Sequence, residues 1–275
     1  MRTFPYDDSR DSLFHPERAT DFFQHGPIHT DDALCAEMAR LAYVRSEASL
    51  REFLARARFE LVAFIDISGS QAFVADDGAV SVVAFRGSQP DDPSDIFADA
   101  DFRLVKWGPG GRVNEGFSKA FNVVKDAIET HLDSPHRLLL TGHSLGAALA
   151  TLTATLHRPD GLFTFGSPLV GDEDFGRTLD GGKDRRYVDC CDLVTRVPPE
   201  PFGYRHTGER RFLDRHGNFR PGASDEEIQF ERHDARTRYL LAHALQIGKV
   251  PARDLADHSP INYVSALLGL PPSTA

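Results

Sequence analysis

One short stretch narrows the choice of folds more than any other: residues 141–152 read TGHSLGAALATL. A lone serine stands between two glycines, with Leu138, Leu139 and Leu140 ahead of it and a run of alanines and leucines behind. Consecutive leucines predict a short buried strand, and Ala147, Ala148, Leu149, Ala150 and Leu152 predict a helix packed through small side chains. Ser144 therefore falls at a strand-to-helix turn. So sharp a turn drives its central residue to positive φ, and strand and helix close up only if the positions two before and two after lack bulk. Gly142 and Gly146 meet that demand. The same geometry lifts the Ser144 hydroxyl clear of the sheet and aims the first helical N–H groups toward it. A glycine-rich turn that merely opens a helix carries the same letters, so a nucleophilic role for Ser144 needs partners elsewhere in the chain.

The flanking segments predict the architecture around that turn. Residues 1–28 read as an irregular, charged arm. Leu34, Met38, Leu41 and Ala42 keep helical spacing over 31–43 behind an Asp pair able to cap, and 48–58 reads as a second helix. β-Branched and aromatic residues then predict strands at 60–66, 71–75 and 79–85, joined by tight turns into a meander. Phe117, Ala120, Phe121, Val124 and Ile128 predict a helix over 114–132. Strand 138–141, helix 144–157, strand 161–165, helix 172–179 and strand 186–191 then alternate, the pattern of a parallel sheet. Residues 204–206 and 210–213 read as a late hairpin, 226–247 as largely helical, and 260–268 as a final helix opened by proline. The expected class is α/β, a single domain over 1–275 with a mixed, mostly parallel sheet and helices on both faces. Ligands of such sheets sit at the carboxyl ends of the strands, where Ser144 falls.

A serine hydroxyl is a weak nucleophile until a base takes its proton. His143 adjoins Ser144, but neighbours in such a turn point apart, so it reads as a packing or hydrogen-bonding residue. Downstream, His157 ends the helix after the turn, His206 lies in the expected hairpin, His216 follows it in a charged turn, and His233 and His243 fall on a long polar helix. His258 differs: it sits in the loop Ala256-Asp257-His258-Ser259-Pro260, just ahead of the last helix, and is the candidate base. Asp192, at the end of strand 186–191, is the candidate carboxylate that orients the imidazole. Asp189 is the alternative, but it lies deeper in the strand and should face the other way; Asp172 and Asp174 read as the start of a helix. The order Ser, Asp, His suits this class of sheet. An oxyanion needs two donors, and the backbone N–H of Leu145 supplies one. Arg86-Gly87-Ser88, after strand 79–85, offers Ser88 as the second, although a plain strand-ending turn explains the spacing equally well.

Composition excludes several other classes. A formal charge of −10 over 275 residues disfavours nucleic acid and anionic lipid surfaces as partners. Arg205, Arg210, Arg211 and Arg215 cluster, but Glu209 and Asp214 are interleaved, the mark of a solvated face. The chain has only three cysteines, Cys35, Cys190 and Cys191. That number does not build a disulfide framework and favours a reduced compartment. A zinc site at Cys190 and Cys191 is disfavoured, because adjacent strand residues face opposite ways and no CxxC accompanies them. No window approaches the length of a membrane span. Residues 1–20 have no apolar core of a secretory signal, from which a cytoplasmic location is expected, with export by another route left open.

Taken in order, VVAFRGS (82–88), VNEGF (113–117), TGHSLGAALATL, TFGSPLVGDEDF (164–175), DLVTRVPP (192–199) and DHSPINY (257–263) resemble the motifs of the class 3 lipases. These are fungal-type triacylglycerol lipases with related feruloyl esterases and phospholipases. The resemblance spans about residues 30–265 and implies an α/β-hydrolase fold. It implies Ser144 as nucleophile, Asp192 as acid, His258 as base, Ser88 with Leu145 as oxyanion hole, and hydrolysis of lipid-like esters through an acyl-enzyme with no metal or organic cofactor. Small-molecule ester or lipid substrates and transient contact with lipid surfaces follow from it, while oligomeric state does not. Phospholipase A1 and aromatic-acid esterase activities are alternatives, and a catalytically silent lipid-binding module is a remote one. Asn114 stands where the family usually has His, and Ala147 where it usually has a second Gly. Residues 89–103, QPDDPSDIFADADFR, occupy the place of the family's lid; Asp91, Asp92, Asp95, Asp99 and Asp101 against Ile96, Phe97 and Phe102 predict a polar flap with little interfacial activation.

Overall fold

The computed structural model describes residues 4–88, 102–133, 136–243, 246 and 248–269. Its elements run α1 (Arg10–Phe14), α2 (Asp31–Leu41), α3 (Glu47–Arg56), β1 (Glu60–Ile67), β2 (Ser70–Asp76), β3 (Val80–Phe85), β4 (Leu104–Lys106), β5 (Arg112–Asn114), α4 (Glu115–Glu129) and β6 (Arg137–His143). They continue with α5 (Leu145–Leu156), β7 (Gly161–Phe165), α6 (Glu173–Arg177), β8 (Asp184–Asp189), β9 (Glu209–Leu213), α7 (Asp225–His243), α8 (Arg253–Ala256) and α9 (Pro260–Leu268). The main sheet has seven strands in the order β1-β2-β3-β6-β7-β8-β9. β1, β2 and β3 form the expected antiparallel meander, and every pairing from β3 to β9 is parallel. This is the α/β-hydrolase arrangement, and each side of the sheet has its own core. Leu41, Leu50, Leu54, Val264 and Leu267 of α2, α3 and α9 pack on one face; Phe121, Val124, Ile128, Leu149 and Leu152 of α4 and α5 pack on the other.

Local chemistry explains most boundaries. Thr30, rather than the expected Asp pair, caps α2, its hydroxyl accepting from the Ala33 N–H at 3.2 Å. Asp32 is thereby free to take Arg185 at 2.7 Å. The side chain of Asn114 caps α4 by accepting from the Phe117 N–H at 3.2 Å and donates to the Tyr204 hydroxyl at 3.0 Å. An Asn at this departure from the family pattern is thus a helix cap.

Two expectations fail here. The late hairpin does not form; β9 instead joins β8 in parallel, from Arg185 opposite Glu209 to Asp189 opposite Leu213. Alternating short segments pair equally well in either sense, and only the neighbour available in space decides. Nor is the stretch 1–28 irregular throughout. It contains α1, capped by Ser9, and two 3-10 turns, Pro16–Arg18 and Phe22–His25. A wholly buried pair, Arg40 with Glu37 on α2, binds these turns: Glu37 accepts from the Phe22 N–H at 2.9 Å and Arg40 donates to the Pro16 carbonyl at 3.0 Å. Of the clustered arginines, Arg205 and Arg210 are exposed, Arg210 meeting Asp225 at 2.6 Å, whereas Arg211 and Arg215 are partly buried, Arg215 meeting Glu231 at 3.2 Å. The expected flap falls largely on 89–101, outside the described residues.

Candidate active site

The elbow forms as its spacing predicts. Ser144 links β6 to α5 with φ 57° and ψ −127°, a conformation rare for any residue with a side chain. A Cβ on Gly142 would lie 2.2 Å from the Gly146 carbonyl oxygen, and one on Gly146 would lie 2.1 Å from that of Phe85. Any larger residue at either position would push helix and strand apart. The Ser144 N–H donates across to the Phe165 carbonyl at 3.0 Å. That bond ties the turn to the end of β7.

Both remaining candidates meet Ser144 on the carboxyl rim of the sheet. His258 Nε2 lies 3.0 Å from Ser144 Oγ, and its Nδ1 lies 2.9 and 3.0 Å from the two carboxylate oxygens of Asp192. With Nδ1–H donating to the carboxylate, Nε2 is left as the acceptor for the serine proton. All three residues are buried. Asp192 also accepts from the Val194 N–H at 2.9 Å and from the Tyr263 hydroxyl at 2.7 Å. So many donors hold the carboxylate in place. The carboxylate of Asp189, the alternative, accepts instead from the Cys190 N–H at 3.0 Å.

Leu145 opens α5, so its N–H lies in the first turn beside Ser144. On the other side, Gly87 approaches the elbow so closely that a Cβ there would lie 3.0 Å from that of Ser144 and 2.7 Å from the His143 carbonyl oxygen. The next residue, Ser88, is exposed at the end of this loop. His143 points away from Ser144. The Tyr43 hydroxyl donates to its Nδ1 at 2.7 Å, and its Nε2–H donates to the His258 carbonyl at 2.8 Å. Burial, followed by the nearby His258, holds the His143 imidazole well below its usual pKa, so it stays neutral. The other histidines are occupied elsewhere. His206 bonds the Thr195 carbonyl at 2.7 Å, and burial next to Arg186 pushes its pKa down to about 3. His157 faces Glu129 at 3.6 Å, and His233 is exposed. The side chain of His243 lies outside the described residues.

Three contributors were not singled out from the sequence. Tyr263 bridges the Asp192 carboxylate and the Asp189 N–H; Tyr at a helix face reads as core until its hydroxyl partner is known. Gly166, with φ 58°, leaves room for the triad, since a Cβ would lie 2.7 Å from Asp192 Oδ2 and 2.9 Å from His258 Nδ1. Its place in TFGSP was the available signal. Asp257, fully buried beside His258, accepts from the Cys191 N–H at 2.8 Å.

That bond overturns the expected placement of the cysteines. β8 stops at Asp189, and Cys190 and Cys191 enter a turn with their sulfurs 3.7 Å apart rather than facing opposite ways. The chain leaves the ladder because side-chain carboxylates, those of Asp189 and Asp257, take the N–H groups of both cysteines. The two sulfurs and an Asp257 oxygen do converge within 4.8 Å. A cation is a poor fit there, because Arg253 already neutralises Asp257 at 3.2 Å and the Cys190 thiol is pushed far up by its bond with Cys191 and by burial.

Comparisons with known proteins point to lipases. Residues 82–202 match the family model "Lipase (class 3)". A secreted mono- and diacylglycerol lipase 1 from Fusarium solani is 38% identical over 163 residues, covering 54% of this chain and 48% of that protein. A lipase from Rhizomucor miehei is 33% identical over 150 residues, covering 48% and 41%. The solved Rhizomucor miehei triacylglyceride lipase superposes with a TM-score of 0.55 at 25% identity, over 66% of this chain and 77% of that one. The chain spans about half the length of the curated relatives it matches. Relatives from Fusarium solani, Malassezia globosa and Penicillium cyclopium are named as secreted, which overturns the cytoplasmic expectation. That expectation rested on the polar character of residues 1–20, and the lack of one apolar run does not assign a folded domain to a compartment. Among the described residues, no helix is long and apolar enough to cross a membrane.

Proposed function

We propose that this chain, whose residues 82–202 match the class 3 lipase model, is a serine carboxylic-ester hydrolase acting on acylglycerols through an acyl-enzyme, in one α/β-hydrolase domain. The observation that carries this reading is the unbroken relay from Ser144 Oγ through His258 to Asp192, with contacts of 3.0 and 2.9 Å, set on a strained turn. His258 takes the serine proton as Oγ attacks the ester carbonyl, and Asp192 steadies the imidazolium that forms. The negative charge that develops on the carbonyl oxygen meets the N–H of Leu145 and the donors of Ser88. His258 then returns the proton to the leaving alcohol, and water, deprotonated by the same imidazole, releases the acid in the reverse sequence. Mono- and diacylglycerol lipases among the relatives favour partial glycerides as substrates, and the secreted ones favour action outside the cell. The test is a hydrolysis series from acetate to palmitate esters, with diacylglycerol and a phospholipid alongside and Ser144→Ala as control. The expected outcome is preference for the glyceride and a fall of about 10⁶ in kcat for Ser144→Ala. Activity that survives that substitution would sink the reading.

A further inference from the structure

The loop that carries His258 is gripped from the opposite end of the chain. Immediately before His258, the Asp257 carboxylate accepts from the Tyr6 hydroxyl at 2.7 Å, across 251 residues of sequence. Immediately after it, the Ser259 hydroxyl donates to the Ser12 carbonyl at 2.8 Å, across 247 residues. Asn262, one turn on, closes the seam: it accepts from the Asp7 N–H at 3.0 Å and donates to the Asp7 carbonyl at 2.7 Å. The residues with these bonds surround the base on both flanks, and all lie outside the segment that matches the family.

Asp257 is the junction. Its second oxygen accepts from the Cys191 N–H, next to Asp192, and its charge is met by Arg253, whose guanidinium also stands 4.8 Å above the Tyr6 ring. One carboxylate thus joins the N-terminal segment, the loop of the acid and the loop of the base. Burial and the Asp257 charge keep the Tyr6 phenol protonated, so it remains a donor. We propose that Tyr6 is a positioning residue for the reaction: through Asp257 it fixes the height and direction of His258 relative to Ser144 and Asp192. The proposal rests on the triad reading above. Its physical basis is that proton transfer falls off steeply with misplacement of the base, while substrate contacts that do not involve the imidazole are left in place.

Tyr6→Phe keeps the ring against Arg253 and removes only the hydroxyl. On a soluble ester, the expected result is a fall of about tenfold in kcat with KM within about twofold. The far-downfield proton resonance of the His258–Asp192 bond should broaden or shift, which loss of global stability alone would not cause in the folded protein. Ser259→Ala cuts the tether on the other flank and supplies the same readouts should Tyr6→Phe not fold. An inactive Ser144→Ala beside unchanged kcat and an unchanged proton resonance in the folded tether variant overturns the proposal alone. Activity in Ser144→Ala overturns the triad reading and the tether with it.

Discussion

The elbow and the base loop place two parts of one relay by opposite means. Around Ser144, much of the demand is met within a few residues: Gly142 leaves room for the start of the helix, and the Ser144 carbonyl accepts from the Ala147 N–H at 3.0 Å. Around His258, nothing nearby in sequence would suffice. Its imidazole bonds reach across 66 and 114 residues, its carbonyl is held by His143 from 115 residues away, and its flanks are held by Tyr6 and Ser12. A nucleophile can be placed by a strained local turn, whereas a base that must meet both nucleophile and acid is placed by the convergence of distant segments.

The sharpest break on the base side is Asp192→Asn. It should lower kcat by about 10⁴ and leave the elbow intact, because the imidazole loses the partner that selects its tautomer; pre-steady-state and steady-state hydrolysis of a soluble ester measure it. Glycine substitutions separate the two regions next. Gly166→Ala, whose Cβ would crowd Asp192 and His258, should lower kcat by about 10². Gly146→Ala, whose Cβ would meet the Phe85 carbonyl, should instead lose about 1–3 kcal/mol of stability in a urea titration as strand and helix are forced apart. Equal losses of kcat in both folded variants would erase the distinction.

The smallest effect provides a control outside both regions. Asp184 begins β8, at the amino end of the parallel strands, and its Oδ2 is closed off with no hydrogen-bond partner among the described residues. Burial pushes its pKa up to about 6. A folded value above the unfolded one means that the native state gains stability as pH falls from about 6 toward 4 and carries a penalty at higher pH. Asp184→Asn should therefore raise stability by about 1–3 kcal/mol at pH 8 and by almost nothing at pH 4, with kcat unchanged at either. Thermal unfolding at the two pH values checks it.

Periodicity in the sequence was enough to place the meander, the parallel run through β8 and the elbow, because each follows from residues within one or two turns of each other. Ser144, Asp192 and His258 were legible as candidates for a related reason: each sits within three residues of an element boundary, although β8 ends at Asp189 rather than running on to Cys191. Other features had no local signature. β9 paired in parallel because β8 was the edge open to it, and Cys190 and Cys191 turned together because Asp189 and Asp257 took their N–H groups. The tethers from Tyr43 and Tyr263 were equally hidden, since a buried tyrosine reads as core whether or not its hydroxyl has work to do, and that from Tyr6 was hidden in a segment that reads as an irregular arm. What the sequence determined by itself was the set of reactive groups and the turn that strains one of them. Their approach to within 3.0 Å was decided only by the tertiary structure, because a hydrogen bond between residues far apart in the chain depends on where every intervening element packs.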